Sequence, residues 1–378
     1  MKICLVGELT GGVGVYGRNL LEGLLKLGLE PSVITSAPEN SPGARAIPVK
    51  RYTGRGRWLP QARAFTQALK QARHEFDLIH FTDARFSVFL PRGEQAVVGT
   101  MNDYFYAITS WMKGTGSANI YSDWPLRHLY YNFTRMMERP ALRRLDRILC
   151  ISESVSEVLT DRYSIPAEKL SVIPYGINYG KATGEKISYP GEMILFAGGN
   201  FQRKGLGTLI QAAPRILQDF PGVRFVILGQ SGDASLMKAL CENRGVAAAF
   251  EFVGQVDYET LYKYYRGASI FTMPSLLEAF GIPFLEAMHC GIPVVASRVR
   301  GPDFYLQDGT NSLMAKTGEP EDLARCILEI LKNKKLRGAL VKNGKQTARE
   351  FKVETMARRT LAAYQAALDS RGAKAAGS

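Results

Sequence analysis

Two successive series of short, β-branched runs, each alternating with segments of helical period, constrain the fold of this chain more than any other feature. The first series predicts buried strands at Lys2–Glu8, Pro31–Thr35, Leu78–Phe81, Ala96–Met101 and Arg147–Ile151. The second predicts them at Met193–Ala197, Phe225–Leu228, Glu251–Val253, Ile270–Met273 and Pro293–Ala296. Strands that alternate with helices pair in parallel, and the helices cover both faces of the sheet. The sequence therefore predicts two Rossmann-like α/β domains.

The length of the chain and one segment without helical character place the division between these domains. At 378 residues the chain exceeds a single ordinary core, because cores stop growing at about 250–300 residues. The segment Ile173–Gly180 and the polar stretch Lys181–Pro190 predict a hinge. We expect an amino-terminal domain over 1–175, a carboxy-terminal domain over 176–354, and a helix over 355–378 that crosses back to the first domain and ends in a flexible tail. Ligands bind beyond the carboxyl ends of parallel strands, so the two sheets are expected to face each other across a cleft.

Composition excludes several classes of protein. Five cysteines without Cys-x-x-Cys spacing indicate reduced core residues, and the first apolar run, Ile3–Val6, is too short for a signal peptide. No apolar run approaches the ~20 residues that span a bilayer. With no zinc-finger spacing, basic zipper or RNA-binding strand, nucleic acid is not an expected partner. A cytoplasmic protein is predicted. Its net charge of +13 indicates anionic partners, such as nucleotide diphosphates or lipid head groups on the inner face of a membrane.

The sequence gives no sign of a metal site. The four histidines are scattered, and there is no Asp-x-Asp motif, so we expect neither a metal nor a cofactor. His80 lies near the end of the predicted strand Leu78–Phe81, where it would either pack in the core or contact a ligand beyond the strand.

Glycine-rich loops follow the first predicted strand of each domain. In the first domain Gly11 and Gly12 precede a helical segment, where backbone amides at a helix N-terminus would bind phosphate. Gly198 opens the corresponding loop of the second domain, and Arg203 and Lys204 supply two cations that would neutralise a departing diphosphate. Each loop also has a simpler interpretation, a tight turn for the first and a solvated basic turn for the second.

The segment Pro274–Met288 carries two carboxylates eight residues apart (286 − 278). Glu278 lies in a glycine-containing loop, and Glu286 lies in the opening turns of the helix that follows. Such carboxylates would accept hydrogen bonds from sugar and ribose hydroxyls, while the amides at the start of the helix would bind phosphate oxygens. As isolated carboxylates they would be surface acids at a helix start.

The run Pro274–Ser297 resembles the signature of the family-4 retaining glycosyltransferases, which adopt the two-domain GT-B fold. Four further segments support the resemblance and follow the family's order along the chain. They are Gly11–Gly14, Ile151–Ser154, Ile173–Asn178 and Arg203–Gly205. Together the segments cover the chain from its first loop to about residue 315.

The resemblance implies transfer of a hexosyl group from a UDP- or GDP-sugar to an acceptor hydroxyl, with retained configuration and without a metal. It implies that Glu278 contacts the transferred sugar, that Lys204 and Arg203 hold the diphosphate, and that Glu286 holds the ribose. By this resemblance Glu278, Lys204 and Arg203 would be the catalytic residues. The full set that it implies for donor binding is Gly11, Gly12, Asn102, Gly198, Arg203, Lys204, Gly254, Val256, Glu278, Phe280, Gly281 and Glu286.

The sequence departs from the family pattern at two positions. Many members carry Arg where this chain has Gly199, so Arg203 would supply the guanidinium. Many also have His-Asp where this chain has Asn102 and Asp103. Asn102 would still hydrogen-bond a sugar hydroxyl, but it does not titrate near neutrality, and the role of Asp103 stays open. We expect front-face attack, with the acceptor deprotonated by the leaving phosphate, and keep a covalent intermediate on Glu278 as the alternative.

Acceptors are expected to bind the amino-terminal domain, whose unusual part is the aromatic and basic segment Tyr104–Arg147. The candidate acceptor contacts are Asp103, Tyr104, Trp111 and Arg127. Aromatic and cationic side chains together favour a glycan or lipid-linked acceptor, such as a cell-envelope precursor, beside an anionic membrane surface. The alternative is a helix packed by its aromatic residues with a solvated basic face.

Two other functions remain compatible with the sequence. A nucleotide-sugar epimerase uses the same two-domain fold without an acceptor. A non-catalytic partner subunit would retain the nucleotide pocket, and Asn102 and Gly199 are the residues that keep this alternative open. A dinucleotide oxidoreductase is disfavoured, because no acidic residue ends the second strand near Ser36.

Overall fold

A computed structural model describes residues 1–53, 57–91, 93–103, 124–180 and 182–376. The chain divides into two compact units: unit 1 comprises Met1–Asn178 and Phe351–Ser378, and unit 2 comprises Tyr179–Glu350. The divisions that the sequence predicts, after residues 175 and 354, lie within a few residues of these limits.

Unit 1 is built on a seven-stranded sheet in which every neighbouring pair of strands is parallel. Its strands are β1 (Ile3–Val6), β2 (Ser32–Thr35), β3 (Arg45–Pro48), β4 (Leu78–Phe81), β5 (Ala96–Met101), β6 (Arg147–Cys150) and β7 (Leu170–Val172), in the order β3-β2-β1-β4-β5-β6-β7. Its helices include α1 (Gly11–Lys26), α2 (Trp58–Ala72), α3 (Trp124–Arg144) and α4 (Glu153–Tyr163).

Unit 2 is built on a six-stranded parallel sheet. Its strands are β8 (Met193–Ala197), β9 (Arg224–Leu228), β10 (Phe250–Gly254), β11 (Ile270–Met273), β12 (Val294–Ser297) and β13 (Leu313–Ala315), in the order β10-β9-β8-β11-β12-β13. The helices are α5 (Leu206–Asp219), α6 (Ala234–Asn243), α7 (Tyr258–Gly267), α8 (Ile282–Cys290), α9 (Pro320–Lys332) and α10 (Lys334–Glu350).

The carboxy-terminal helix, α11 (Val353–Ala376), belongs to unit 1, where it packs against α1, β5 and β6. The close fit to α1 depends on Gly23, because a Cβ at this position would lie 2.7 Å from the Cβ of Ala357. Lys26 and Glu354 add an ion pair of 2.9 Å at the edge of this contact.

The strands β3, β7 and β13 lie outside the ten that the sequence predicts. All three are at sheet edges, and β7 and β13 have only three residues each. The residues of β3 and β7 are half-buried or exposed, so they lack the continuous apolar run of a buried parallel strand. Edge strands of this length are set by pairing with a neighbour and leave little pattern in the sequence.

His80 of β4 lies at the centre of a buried polar chain in unit 1. Its Nδ1 lies 2.6 Å from the hydroxyl of Tyr364 on α11, and its Nε2 lies 2.8 Å from the hydroxyl of Thr100, which is 2.7 Å from that of Tyr16. Burial lowers the pKa of His80 to about 3, so the imidazole is neutral. Of the two interpretations of His80, the structure agrees with the packed core residue.

Candidate active site

The topology of unit 2 brings two of the predicted loops to the same place. Strand β8 lies between β9 and β11, so the strand order reverses at β8. The crevice at such a switch point is where ligands bind in open α/β folds. The loop 198–205 follows β8 and the loop 274–281 follows β11. Because β8 and β11 pair directly, both loops leave the same carboxyl edge side by side.

Gly205 is the residue that allows the two loops to touch. It has a φ of 76°, and a Cβ there would lie 1.8 Å from the carbonyl oxygen of Pro274. The amide of Leu276 donates to the carbonyl of Arg203 at 2.8 Å. The loops are therefore joined backbone to backbone, and Lys204 is held against the second loop.

Gly205→Ala is expected to destabilise the fold by more than about 2 kcal/mol, because it combines a left-handed backbone with a clash against another main chain. Gly207→Ala is the matched control: it lies two residues away in α5, and its Cβ would meet only Leu240, at 3.8 Å. That control should be neutral or stabilising by about 0.5–1 kcal/mol. Urea unfolding of both variants measures the difference, and equal stabilities would contradict this role for Gly205.

Lys204 and Glu278 form a largely buried ion pair between the two loops. The Lys204 ammonium donates to Oε2 of Glu278, and the exposed fractions of the two side chains are 12% and 8%. Oε1 of Glu278 accepts from the amide of Ala279 at 3.1 Å and faces that of Phe280 at 3.5 Å. Burial by itself would raise the pKa of Glu278, but the charges of Lys204 and Arg203 outweigh it, and the pKa lies below its usual value. Glu278 is therefore ionised at neutral pH.

Residues on the connection that follows β12 hold the loop that carries Glu278 in place. The hydroxyl of Tyr305 donates to the carbonyls of Phe280 and Gly281, at 2.6 and 2.9 Å. Gly301 has a φ of 114°, and a Cβ there would lie 2.2 Å from the carbonyl oxygen of Glu278. Gly281, with a φ of 85°, is the N-cap of α8, so the amides of this loop gather at a helix N-terminus. The sequence reasoning did not identify Tyr305 or Gly301, which lie on the connection that follows β12.

The side chain of Arg203 also contacts the loop that carries Glu278. Its Nη1 donates to the carbonyl of Leu277 at 3.2 Å, and its backbone amide donates to Asn200 Oδ1 at 3.2 Å. The guanidinium is thus placed next to the Lys204 and Glu278 pair and adds positive charge to it.

Glu286 is buried in the first turns of α8 and surrounded by tyrosines. The hydroxyl of Tyr265 donates to its Oε2 at 3.1 Å, and Tyr258 also hydrogen-bonds it. Burial raises the pKa of Glu286 to about 7, in spite of these donors. A carboxylate at this depth gains most when further hydroxyls donate to it. The tyrosines come from α7, whose YETLYKYY sequence was a signal that the sequence reasoning did not use.

The remaining predicted donor residues of unit 2 lie along the same carboxyl edge. Gly198 follows β8, and its carbonyl lies 2.2 Å from the position that a Cβ of Gly229 would occupy. Gly254 ends β10, with a φ of 91°, and its carbonyl accepts from the amide of Gly229 at 2.8 Å. Val256 follows it, half-buried, in the connection to α7.

The predicted donor residues of unit 1 lie at the carboxyl edge of the first sheet. Asn102 follows β5 and is 7% exposed; its Nδ2 donates to the carbonyl of Thr82 at 2.7 Å, and its Oδ1 accepts from Tyr175 at 2.6 Å. The amide of Asn102 therefore ties the ends of two strands to the segment after β7. Gly11 and Gly12 are the first residues of α1.

Of the predicted acceptor contacts, Asp103 is half-buried beside Asn102 and acts electrostatically on Arg85. Arg85 also pairs with Asp83, which follows the neighbouring strand β4. The sequence reasoning did not single out Asp83, although an acid after each of two adjacent strands was a usable signal. Tyr104 and Trp111 lie outside the described residues, and the structure describes Arg127 only as a position within α3.

Among the residues that the structure describes, no three His, Cys, Asp or Glu side chains come together in a way that would hold a metal ion. No helix in this part of the chain is both long and apolar enough to span a membrane.

Two parallel-sheet α/β units with glycine-rich loops at their carboxyl edges are consistent with the GT-B fold of glycosyltransferases, and comparisons with known proteins assign this class. Residues 10–181 match the family model described as Glycosyltransferase Family 4, and residues 185–347 match the model described as Glycosyl transferases group 1. The chain belongs to the family-4 glycosyltransferases. The predictions of this family and of the GT-B fold are both confirmed.

Individual proteins support the same assignment. An uncharacterized glycosyltransferase of Methanocaldococcus jannaschii is 27% identical, over 98% of this chain and 100% of its own length. Sucrose-phosphate synthase from Thermosynechococcus elongatus has a TM-score of 0.80 at 22% identity, covering 97% of this chain and 98% of its own. HepE of Anabaena, solved in complex with UDP-glucose, has a TM-score of 0.73 at 19% identity, covering 96% and 99%. At these identities the solved structures establish the fold.

Proposed function

We propose that this glycosyltransferase transfers a hexosyl group from a UDP- or GDP-sugar to an acceptor hydroxyl, with retention of configuration and without a metal ion. The UDP-glucose bound to HepE favours a UDP-sugar. The observation that carries the proposal is the buried pair of Lys204 and Glu278 at the carboxyl edge of the second sheet. A buried ion pair adds little to stability compared with apolar residues of similar volume, so its presence in a glycine-rich loop favours a ligand-binding role.

In this proposal the cations of the first loop hold the donor diphosphate. Lys204 and Arg203 are adjacent in the loop after β8, and the amides of Ala279 and Phe280 lie beside Glu278 in the neighbouring loop. A diphosphate gains negative charge as the sugar leaves, and fixed cations at that point stabilise the transition state more than the ground state.

Glu278 is proposed to stabilise the positive charge that develops on the sugar. The bond from the acceptor oxygen to the anomeric carbon forms as the bond to the phosphate oxygen breaks, on the same face, and the acceptor proton passes to the leaving phosphate. Glu278 stays ionised throughout, because Lys204 and Arg203 hold its pKa low. Its two oxygens are also turned towards Lys204 and backbone amides, which favours this electrostatic role over a covalent intermediate.

Glu286 is proposed to accept hydrogen bonds from the two ribose hydroxyls of the donor. Its folded-state pKa of about 7 lies above the usual value of 4.5, so the fold favours the protonated carboxyl and loses stability as pH rises from 4.5 to about 7. Ribose hydroxyls donate hydrogen bonds to the ionised carboxylate, so donor binding favours the ionised form of Glu286, whereas folding favours the protonated form. Binding should strengthen as pH rises across the same range.

We expect the Kd of UDP-glucose to fall about tenfold between pH 6 and pH 8, because only the ionised carboxylate binds the ribose fully. Glu286→Gln should bind more weakly and lose most of this dependence. The control Glu242→Gln removes an exposed carboxylate of the same unit and should behave as the parent. Calorimetry with intact UDP-glucose is the suitable measurement, since the terminal phosphate of UDP itself titrates near pH 6. An equal pH dependence in Glu286→Gln would refute the ribose role.

The acceptor is proposed to be a glycan or lipid-linked precursor that binds unit 1 at the cytoplasmic face of a membrane. Helix α3 supports this proposal: Phe133 and Met136 are large apolar residues exposed by 41% and 63%, and Arg139, Arg143 and Arg144 are exposed on the same helix. Apolar and cationic side chains together favour binding at the interface of an anionic membrane.

Transfer itself is the experiment that tests the proposal. The protein is incubated with UDP-glucose, UDP-galactose, GDP-mannose and a lipid extract, each with and without a chelator, and the products are examined by mass spectrometry and proton NMR. We expect nucleotide release that requires an acceptor, a product with the anomeric configuration of the donor, and no effect of the chelator. An altered sugar still attached to its nucleotide, formed without acceptor, would instead identify an epimerase.

A further inference from the structure

A second concave site lies in unit 1, at the edge of the sheet opposite to the predicted substrate residues. It is a cavity of about 550 Å³, within the range of small-molecule sites. Val97, at the start of β5, and Asp146, just before β6, form part of its wall, so the cavity lies at the amino ends of these strands. Asn102 and Asp103 lie beyond the carboxyl end of β5.

The cavity is strongly basic. Among the described residues of its wall, Glu94 and Asp146 are acidic, and Arg73, Arg143, Arg144, Lys169 and Arg371 are basic. Asp146 is already engaged, because its Oδ2 accepts from the amide of Val97 and from Arg371, both at 2.9 Å. Among the described residues, no carboxylate lies within ion-pair distance of Arg73, Arg143 or Arg144.

Some of these basic residues have a structural role, because they lie at the C-terminus of a helix. Helix α3 ends at Arg144, and Lys169 donates to the carbonyls of Arg143 and Leu145 at 2.8 and 2.9 Å. Basic residues at a helix C-terminus stabilise it by about 0.3–1 kcal/mol each. This explanation suits Lys169, and it suits the exposed Arg143 and Arg144 in the last turn of α3.

Arg73 is not explained in this way. Its Nη1 donates to the carbonyl of Pro91 at 2.9 Å and its Nε to Gln95, but its Nη2 is buried and has no hydrogen-bond partner in the described part of the chain. Gly93 lies against the guanidinium, where a Cβ would come within 2.3 Å of it. A second guanidinium, that of Arg371, lies close enough to repel it. A buried donor without a partner is costly, and a bound anion would satisfy it.

We propose that this cavity is a second anion-binding site, separate from the donor site, which takes the phosphate or diphosphate group of a small ligand with Arg73 as its anchor. Guanidinium groups bind phosphate through two parallel hydrogen bonds, and the excess of five basic over two acidic side chains in the described part of the wall favours a multivalent anion. The ligand would bridge Arg73, which directly follows α2, to the loop after β4, the end of α3 and the end of α11. It would stabilise unit 1 by binding only its folded form.

Equilibrium dialysis of radiolabelled pyrophosphate at constant ionic strength tests the site. The parent protein should bind two equivalents, one at the donor loops and one here. Lys204→Met should remove the first, and Arg73→Gln should weaken the second at least about tenfold, as expected for loss of a charge-assisted hydrogen bond. Arg359→Gln, which removes one exposed charge from α11, is the control and should change neither.

The two proposals fail in different ways. If Lys204→Met keeps two equivalents, the donor assignment is at fault; if Arg73→Gln keeps two, this second site is refuted. Arg144→Gln provides a variant at an exposed position, where folding is not at risk, and should also weaken the second equivalent. A loss as large in Arg359→Gln would show unspecific charge attraction and would also refute the site.

A lipid head group is the other source of the same phosphate chemistry. Sedimentation with phosphatidylglycerol vesicles, against phosphatidylcholine vesicles, distinguishes it from a soluble ligand. The site is assigned to a soluble ligand if the parent protein binds the second equivalent of pyrophosphate and Arg73→Gln leaves vesicle binding unchanged. The site is assigned to a lipid phosphate if vesicle binding requires Arg73 and the parent protein binds no second equivalent of pyrophosphate. That result overturns the small-ligand proposal.

Discussion

Lys204→Met is expected to lower kcat about 10²–10³-fold, because it removes the fixed cation that is proposed to stabilise the charge on the leaving diphosphate. The KM for the donor should rise as well, since part of the same interaction is made in the ground state. Steady-state transfer assays, with an acceptor found by the transfer experiment, measure both constants. Lys342→Met is the matched control: it removes an exposed lysine of α10 and should leave both unchanged.

The substitution also leaves the Glu278 carboxylate without its lysine, which costs about 3–5 kcal/mol for a buried pair. Thermal unfolding must therefore accompany the kinetics, and activity is compared well below the transition of each variant. A kcat within a factor of two or three of the parent, in protein shown to be folded, would rule out the diphosphate role.

Glu278→Gln is the second large effect, with kcat expected to fall about 10²–10³-fold as the charge facing the sugar is lost. Glutamine keeps the size of the side chain and one carbonyl that can accept from the amide of Ala279, so the loop should keep its course. Donor binding should change much less than kcat, because the nucleotide contacts remain. Glu242→Gln again serves as the control for removal of a carboxylate from unit 2.

The double variant Lys204→Met with Glu278→Gln separates catalysis from structure. If the pair only supports the fold, removing both charges restores stability and activity together. If the two residues act on the donor, stability recovers towards that of the parent while kcat stays at least about 10²-fold low. Recovery of activity in the double variant would therefore overturn the proposed function of both residues.

Much of the fold was accessible from the sequence because its signals are local. The alternation of buried strands and helices, the glycine loops after β1 and β8, and the spacing of Glu278 and Glu286 are properties of contiguous residues. They predicted two α/β units and the second loop region before any contact was known. The edge strands β3 and β7 escaped prediction because their residues are half-buried or exposed and their strand conformation depends on a neighbour.

The buried role of Asn102 could not be predicted in the same way. From the sequence it was a candidate contact for a sugar hydroxyl, and in the fold its side chain joins Thr82 to Tyr175, which lies 73 positions further along the chain. A side-chain amide makes the same hydrogen bonds to protein groups as to a ligand, so the presence of an asparagine does not show which of the two it binds.

The sequence by itself determined the family, the two parallel-sheet units and the identity of the carboxylates and cations near the proposed donor site. Only the tertiary structure decided which of them meet: Lys204 reaches Glu278 across 74 positions, and His80 reaches Tyr364 across 284. It also gathered Arg73 and Arg371 into one basic cavity. The reason is physical: periodicity records which face of an element is buried, whereas contacts between distant elements follow from the order in which strands pair and helices cross.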